Sequence, residues 1–295
     1  MPPRPRQPAR TPRRVVYRRR ALALAVLLGG FAIAWFIVSS FGGRGSSKPA
    51  TTAVAAPRPF KVVFPEGFTR SQMAHRVTDV AKIAERERGR TPALSGRRYI
   101  AETNAPRRQP GFGRRRYPLE GFLFPATYDF TAHTTTAQLV AQQLQALREN
   151  WAKVNLRYAH SKNLTPYDVL TIASMIERET AAPEERQLVA AVIYNRLHLH
   201  MPLGIDATLR YGLHIPPTES IHESQLNSTS PYNTAKRPGL PPTPIANPGL
   251  ASIQAAAHPA HVDYLYYVRK PDKKHHFFTA SFAAFQKYKA EHGYR

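Results

Sequence analysis

The chain has 295 residues, of which 42% are hydrophobic, so it is long enough for one large or two small domains with a core of their own. It contains no cysteine, which excludes disulfide bonds and thiolate metal sites. The formal net charge of +23 at pH 7 favours a polyanionic partner such as nucleic acid, anionic lipid or an acidic wall polymer. The position of the charge along the chain distinguishes between these partners.

The N-terminus predicts a membrane anchor. Residues 1–20 carry eight arginines and no acidic residue, a composition typical of a disordered tail. Residues 21–41 are uncharged, and a helix of this length crosses a hydrocarbon core of ~30 Å. The stretch is longer than the apolar part of a signal peptide and has no convincing cleavage site, which favours a transmembrane helix over a cleaved leader. The positive-inside rule then places the N-terminus in the cytoplasm and the rest of the chain outside, after a flexible linker at 42–59.

Residues 60–113 begin with a pattern typical of a small, LysM-like α/β subdomain. A short strand, a turn at 65–67 and a helix capped by Thr69 or Ser71 are predicted. Residues 86–116 are strongly basic and rich in loop residues, so we expect a solvated loop there. The alternative is a groove wall that faces an anionic polymer.

The remaining residues, 114–295, predict an α+β catalytic domain. An aromatic segment at 117–130 has strand character, and an amphipathic helix is expected at 134–156. Residues 202–247 are rich in proline and predict a rigid, loop-rich groove that lines a site. The C-terminal part predicts a helix at 250–257, a strand at 262–268 with a hairpin partner at 275–280, and a helix at 282–292.

The most informative stretch, residues 163–200, predicts two helices. Thr165 can cap the first helix, Pro166 suits its first position, and Asp168 places a carboxylate at the positive helix end. Apolar residues then recur at three- and four-residue spacing and form a buried stripe. The second helix is expected to start at residues 183–185, where two acids again follow a proline.

Two carboxylates, Glu177 and Glu179, stand in the last turn of the first of these helices. At 100° per residue both fall at the edges of the apolar stripe, where partial desolvation raises a carboxyl pKa towards the range needed for proton transfer. The alternative is a pair of solvated charges at a helix end, which is the usual role of charge on a helix. Periodicity alone does not choose between these interpretations, or between the two acids.

Several segments resemble, in the family's own order, the endolytic murein transglycosylases, also called the MltG-like or YceG-like family. They are EGFLFPATY, ASMIERET, VIYNRL, GIDATLRYG, SPYNT, GLPPTPIANPG, AAAHP and YLYYV. The resemblance extends from about residue 60 to the C-terminus. The chain departs from the family pattern at Ala126, Gly204, Ile205, Ala280, Phe285 and Gln286.

The resemblance implies a lyase that cleaves the MurNAc-β-1,4-GlcNAc bond inside nascent peptidoglycan strands, leaves 1,6-anhydro-MurNAc ends and terminates strand elongation. It makes Glu179 the catalytic acid and base, because a small hydroxyl residue, Thr180, follows it, and it makes Glu177 a supporting carboxylate. One acid suffices for this chemistry, since the C6 hydroxyl of muramic acid takes the place of water. The candidate substrate-binding residues are Asn195, Asp206, Tyr232, Asn233 and Glu120, although Tyr and Asn in loops are equally often turn formers and caps.

The expected partners follow from the anchor and the resemblance. They are peptidoglycan glycan strands and the bacterial inner membrane, with the catalytic domain on the periplasmic side, and cell-wall synthases are further candidates. No cofactor and no metal are expected. Nucleic acid is disfavoured because the basic body lies outside the cytoplasm and nucleic-acid-binding motifs are absent from the sequence. The main alternative is a non-catalytic, membrane-anchored wall-binding or division scaffold.

Overall fold

A computed structural model describes residues 59–294 of the chain. The predicted basic tail at 1–20, the predicted transmembrane helix at 21–41 and all but the last residue of the predicted linker at 42–59 lie outside the described residues. None of the helices between residues 59 and 294 has the length and apolar character that a bilayer crossing requires.

The described part of the chain is α+β, as predicted, and begins with a strand and a long helix. Strand β1 (Phe60–Val63) pairs antiparallel with β4 (Thr127–Phe130), so this pairing crosses the domain boundary that the sequence predicts after residue 113. Helix α1 (Arg70–Arg88) starts at Thr69, whose side chain accepts a hydrogen bond from the backbone three residues later. The predicted strand and capped helix are thereby confirmed, while the LysM-like assignment stays a prediction.

The basic stretch at 86–116 is only partly a loop: residues 109–115 have no regular structure, as expected, but the part before them contains a helix and a strand. Ser95 caps helix α2 (Gly96–Asn104), and a short hairpin of β2 (Arg107–Arg108) and β3 (Arg116–Tyr117) follows. Two arginines of this stretch, Arg97 and Arg98, are exposed on the outer face of the helix, and its inner face packs on α1 and is buried. Nine residues with so few apolar positions are too short to display a convincing helical period.

The structure differs in detail from the prediction in two segments, the aromatic segment at 117–130 and the helix expected at 134–156. Within the aromatic segment, strand is found only at Tyr117, the last residue of β3, and after Pro125 in β4, since proline cannot donate to a ladder. The predicted helix is confirmed as α3 (Thr136–Trp151), which ends five residues early, and a separate one-turn helix, α4 (Arg157–Ser161), follows the predicted range.

Helix α5 (Pro166–Glu179) forms the centre of the fold. It begins as the sequence predicts, with a reciprocal capping box between Thr165 and Asp168. All residues from 169 to 176 are buried, so the helix is covered on every side and does not have the single apolar face that the sequence predicts. The two acids lie beyond this buried part, in the last turn.

The chain leaves α5 at Thr180, which adopts an extended backbone conformation. Its hydroxyl donates to the carbonyl oxygen of Ile176 at 2.6 Å and so satisfies a helix-end acceptor. Pro183 prevents the helix from continuing and opens a 3-10 turn (Pro183–Glu185), which leads into helix α6 (Arg186–His198). The predicted second helix is confirmed, with its first three residues in the 3-10 turn.

Helix α5 packs most extensively on helix α9 (Leu250–Ala257), which lies at the predicted position, and also contacts α6. The proline-rich region at 202–247 is not purely loop. It contains α7 (Asp206–Leu213) and the one-turn α8 (Glu223–Leu226), and α7 also contacts α5. The many flanking prolines conceal α7 because they dominate the composition around eight helical residues.

The C-terminal part is a hairpin of β5 (Tyr266–Arg269) and β6 (His276–Thr279), covered by helix α10 (Phe282–Glu291). The predicted strand starts four residues late, at 266 and not at 262. The side chain of Asn195 donates to the carbonyl oxygens of residues 262 and 264, both at 2.9 Å. Helix α6 therefore satisfies backbone acceptors that a strand ladder would otherwise use.

A buried amide, Asn247, joins three segments of the described chain. Its Oδ1 accepts from the backbone N–H of Leu123 at 2.9 Å, and its Nδ2 donates to the carbonyl oxygen of Phe68 and to Oε1 of Glu120, both at 2.9 Å. The side chain is fully buried. It connects the loop before α9 to the start of α1 and to the turn before β4.

We expect Asn247→Ala to lower the free energy of unfolding by about 3 kcal/mol, since it leaves buried groups on three segments without partners. Urea unfolding of the variant measures this loss. Asn155→Ala is the matched control, because that side chain only caps an exposed turn and should change the free energy of unfolding by less than about 1 kcal/mol. Equal losses in the two variants would contradict the role assigned to Asn247.

Candidate active site

An open cleft lies at the C-terminal end of α5. Glu179 is the last residue of that helix and is half-buried at the floor of an open cleft of about 730 Å³. The start of α7, strand β5 and helix α10 form the walls. The helix is rigid because it is buried along eight consecutive residues, so it holds this carboxyl group in a fixed position.

The Glu179 carboxyl group has a defined electrostatic environment. Its withdrawal from water raises its pKa above the ordinary value, and the negative charge of Asp206 acts in the same direction. The Tyr267 hydroxyl donates a hydrogen bond to Oε2 at 3.2 Å, which favours the ionised form and lowers the pKa in part. Electrostatic interactions with His276 and Arg269 also lower it. Burial is the largest of these effects, so the acid holds its proton at a higher pH than a solvated glutamate does.

Tyr267 comes from strand β5, 88 residues after Glu179 in the sequence. Burial raises its pKa well above the ordinary value, and the Glu179 charge adds to the effect, so the hydroxyl keeps its proton and acts as a donor. Its ring meets the rings of His276 and Phe278 at centroid distances of 5.3 and 5.8 Å. Three contacts thus fix the orientation of the hydroxyl towards Glu179.

A buried pair supports the floor of the cleft behind Tyr267. Nδ1 of His276 lies 2.6 Å from Oε2 of Glu185, and the backbone N–H of His276 donates to Oε1 of the same carboxylate at 2.8 Å. Both side chains are buried. The pair anchors β6 to the 3-10 turn that follows α5, and so fixes the hairpin relative to the helix that carries Glu179.

Sequence reasoning did not identify Tyr267, His276 or Glu185 as site residues. The first two lie in segments that the sequence correctly assigns to a hairpin, and the third lies at a helix start, so each already has a structural explanation. The sequence does contain one indication of a site. The strand predicted at 262–268 has three tyrosines, and its predicted hairpin partner begins with two histidines, and such side chains are rarely all used for packing.

Of the predicted substrate-binding residues, Asp206 shares the cleft with Glu179. It is exposed and opens helix α7, where a carboxylate is favoured by the positive helix end. The residue two before it, Gly204, has a φ of +62°, in the left-handed region that glycine favours, and its N–H donates to the carbonyl oxygen of Thr234 at 3.0 Å. This turn presents the start of α7 to the cleft.

Glu177 and Glu179 point in different directions. Glu177 Oε2 accepts from the backbone N–H of Gly249 at 3.0 Å and so caps helix α9. A side chain at Gly249 would collide with the carboxyl group of Glu66, which explains why this cap is a glycine. Glu177 therefore supports the packing of α9 on α5. Thr180 ends the helix through its hydroxyl and does not line the cleft.

Three other predicted contact residues use their polar groups inside the fold. The amide of Asn195 bonds the chain before β5, and the amide of Asn233 donates to the carbonyl oxygens of residues 226 and 228 at 3.0 and 2.9 Å. The hydroxyl of Tyr232 lies 2.8 Å from that of Thr243. None of the three lines the cleft that holds Glu179. Direct sugar contact by them stays a prediction, and their positions do not favour it.

Glu120 lies in a buried cluster and not in the cleft. It accepts from the backbone N–H of Arg70 at 3.0 Å, from the hydroxyl of Tyr211 at 3.0 Å and from Asn247. Burial raises the pKa of Glu120 to about 7, against the hydrogen bonds and the charge of Arg70, which lower it. The carboxyl group joins α1, α7 and the loop before α9.

Comparison with known proteins gives a consistent match. A family profile described as the YceG-like family matches residues 44–291. Proteins named endolytic murein transglycosylase from Bacillus subtilis (strain 168) and Streptococcus pneumoniae (strain ATCC BAA-255 / R6) are 38% and 41% identical over 157 and 160 residues, which is 52% of this chain in each case. These matches cover 43% and 28% of the two relatives, so the chain spans less than half of their length.

A solved structure agrees with the sequence matches. The crystal structure of a YceG-like protein from Listeria monocytogenes has a TM-score of 0.65 and 29% sequence identity. The match covers 79% of this chain and 76% of the other one. The similarity therefore extends over most of the described residues.

The raised pKa of Glu120 predicts a dependence of stability on pH. The folded state holds this proton with a pKa of about 7 and the unfolded chain with a pKa of ~4.3, so the stability contribution is complete below pH ~4 and is lost as the pH rises through 7. Glu120→Gln cannot ionise. Between pH 5 and pH 8 the free energy of unfolding of the parent chain should therefore fall by on the order of 2 kcal/mol more than that of the Glu120→Gln chain.

Urea unfolding at the two pH values measures this difference. Glu223→Gln, which removes an exposed acid, is the control and should keep the parental pH dependence. An identical pH dependence in Glu120→Gln and the parent chain would show that Glu120 does not titrate with a raised pKa.

Proposed function

The chain belongs to the YceG-like family, and on that premise we propose that it is an endolytic peptidoglycan lytic transglycosylase. It would cleave the MurNAc-β-1,4-GlcNAc bond within nascent glycan strands, leave 1,6-anhydro-MurNAc ends and so terminate strand elongation. The names of the relatives from B. subtilis and S. pneumoniae support this activity. The observation that carries it is the position of Glu179, a carboxyl group of raised pKa at the floor of an open cleft.

Glu179 acts first as an acid. Its protonated carboxyl group donates a proton to the glycosidic oxygen while the bond between that oxygen and C1 of MurNAc breaks, and positive charge develops at C1. The raised pKa favours this step, because at a given pH a larger fraction of this acid holds its proton than of a solvated glutamate.

Glu179 then acts as a base. The carboxylate takes the proton from the C6 hydroxyl of the same MurNAc residue, and O6 forms a bond to C1 to close the 1,6-anhydro ring. The acid regains its proton, and no water is consumed. In the ionised state, the hydrogen bond from Tyr267 stabilises the carboxylate.

Asp206 has a supporting role in this proposal. It lies in the same cleft, where its carboxylate favours the positive charge that develops at C1. It also raises the pKa of Glu179. The same position favours one competing reaction, hydrolysis, since a second carboxylate beside the sugar can activate a water molecule. The reaction products distinguish the two.

The location of the enzyme is part of the proposal and rests on the sequence alone. Residues 21–41 would anchor the chain in the inner membrane, with the arginine-rich residues 1–20 in the cytoplasm and the cleft on the periplasmic side. Glycan strands that emerge from membrane-bound synthases would then lie within reach, which makes these synthases candidate partners.

We expect the purified full-length chain to release 1,6-anhydro-ended fragments from uncrosslinked glycan strands, and Glu179→Gln to lower the rate by at least ~1000-fold, because Gln cannot transfer the proton. Mass spectrometry of the digest measures both. Glu177→Gln is the matched control and should keep most of the activity, since its amide oxygen can still cap α9.

Three outcomes would contradict the proposal. Fragments with reducing MurNAc ends would indicate hydrolysis, and full activity in Glu179→Gln would remove this residue from the mechanism. Binding of glycan without any product would indicate a scaffold.

Tyr267→Phe should move the basic limb of the pH profile of kcat/KM to higher pH. The hydrogen bond from Tyr267 lowers the pKa of Glu179, and its loss raises that pKa, so the acid form persists to higher pH. We expect kcat to fall about tenfold, since the carboxylate loses a donor. Initial rates between pH 5 and pH 9 test this, with Tyr264→Phe as the control, since that residue lies just before the same strand and does not line the cleft. An unshifted profile in Tyr267→Phe would contradict the assigned contact.

A further inference from the structure

Three aromatic side chains gather where β5 and α10 meet at the edge of the cleft. Phe285 lines the cleft together with Glu179. The ring of Tyr266 stacks on it, with a centroid distance of 5.3 Å and an angle of 27° between the planes. Phe282 completes the group at 5.4 Å from Tyr266 and 6.3 Å from Phe285. We call these three residues the aromatic platform.

The fold covers the aromatic platform only in part. Helix α10 has no buried residue, and within the described chain it packs chiefly on the two strands of its own hairpin. Phe282 is 54% exposed, and Phe285 and Tyr266 are partly buried. Large aromatic side chains that remain partly accessible next to a polar cleft are characteristic of binding sites, because the burial of such rings contributes strongly to affinity.

Two cations hold the platform in place and add polar groups at its rim. Lys289 Nζ lies 5.7 Å from the Phe285 ring, and Arg196 Cζ lies 5.4 Å from the Tyr266 ring. Arg196 is itself fixed, since it donates to the carbonyl oxygens of Leu265 at 2.6 Å and Leu203 at 2.7 Å. The platform is therefore preorganised, as a low entropic cost of binding requires.

The chemistry of this edge fits a sugar ring. A pyranose has one face of C–H groups, which are apolar and carry partial positive charge, and a circumference of hydroxyl groups. An aromatic face is apolar and carries partial negative charge, so it attracts the C–H face. Asp206 and Arg269 line the same cleft and can bind the hydroxyl circumference. A flat apolar surface beside charged groups suits such an amphipathic ligand better than it suits a purely apolar one.

We propose that Phe285, supported by Tyr266 and Phe282, is a glycan-binding subsite on which a pyranose ring of the strand stacks, away from the bond that is cleaved. This inference rests on the proposed function for the identity of the strand. The platform holds the strand across the cleft and positions the scissile bond over Glu179. One stacked ring is expected to contribute about tenfold in affinity.

The test measures binding without turnover. The full-length Glu179→Gln chain is titrated with a peptide-free glycan oligomer of alternating GlcNAc and MurNAc in a calorimeter. Phe285→Leu in this background removes the flat face and keeps an apolar side chain of similar size, and it should weaken binding about tenfold. Phe285→Trp should restore or strengthen binding. In the active chain, Phe285→Leu should raise KM about tenfold and change kcat little.

Phe277→Leu is the matched control. Phe277 stacks on Tyr288 at 4.4 Å on the same hairpin and helix but does not line the cleft. If loss of packing were the cause, Phe277→Leu would weaken glycan binding as much as Phe285→Leu, and the proposal would be wrong. Unchanged binding in Phe285→Leu would also overturn it.

A second measurement needs no substitution at residue 285. In the Glu179→Gln chain, ring ¹H–¹³C resonances of Phe285 should shift on addition of the glycan oligomer, and those of Phe277 should not. Static resonances of Phe285 under saturating glycan would overturn the proposal. Failure of the proposed function is distinguishable, since the parent chain would then release no anhydro ends while glycan binding still depended on Phe285.

Discussion

The burial of helix α5 on every side is the constraint on which the rest of the structure depends. Eight consecutive residues are enclosed, mainly by α9 and α6, so neither the axis nor the rotation of the helix can change without disrupting the core. The helix ends after Glu179, because Thr180 adopts an extended conformation and Pro183 cannot continue the helix. The rigid helix therefore holds the carboxylate of its last residue, Glu179, in the cleft.

Three glutamates illustrate how position decides the role of a carboxylate. Glu177 and Glu179 are two residues apart, a rotation of about 200° on a helix, so one caps α9 and the other faces the cleft. Glu120 is fully enclosed and holds three segments together. Of these three, Glu179 alone combines a raised pKa with a position that lines the cleft, and this combination makes it the candidate acid.

The walls of the cleft are fixed by polar contacts between segments that are distant in the sequence. Arg196 holds the turn before α7 and the start of β5, and the pair of Glu185 and His276 holds the hairpin. Each contact satisfies backbone or buried groups that would otherwise lose their hydrogen bonds. The cleft is therefore largely preformed.

The sequence predicts the elements whose signals are local. Capping residues locate the starts of α1 and α5, and α9 and the final hairpin lie where their patterns indicate. The sequence does not predict helices α2 and α7, because they are short and lie within basic or proline-rich segments. The late start of β5 depends on a side chain from α6, which no local pattern contains.

The residues of the candidate site also fall into two groups, those that the sequence predicts and those that only the fold brings together. Glu179 is predictable from the helix that carries it and from the resemblance to a known family, and Asp206 from the segment that opens α7. Tyr267 and His276 reach the site from almost a hundred residues away, so only the tertiary structure brings them together with Glu179. Asn195, Tyr232 and Asn233 have side chains that suit sugars, but the fold uses them to bond its own chain.

A structure of the Glu179→Gln chain bound to a peptide-free glycan strand would show whether residue 179 reaches the bond that is cleaved. We predict that a glycosidic oxygen between MurNAc and GlcNAc lies about 2.6–3.2 Å from the side chain of residue 179, within hydrogen-bonding reach. A strand bound elsewhere on the surface, or one whose glycosidic bonds all lie beyond the reach of this side chain, would contradict it.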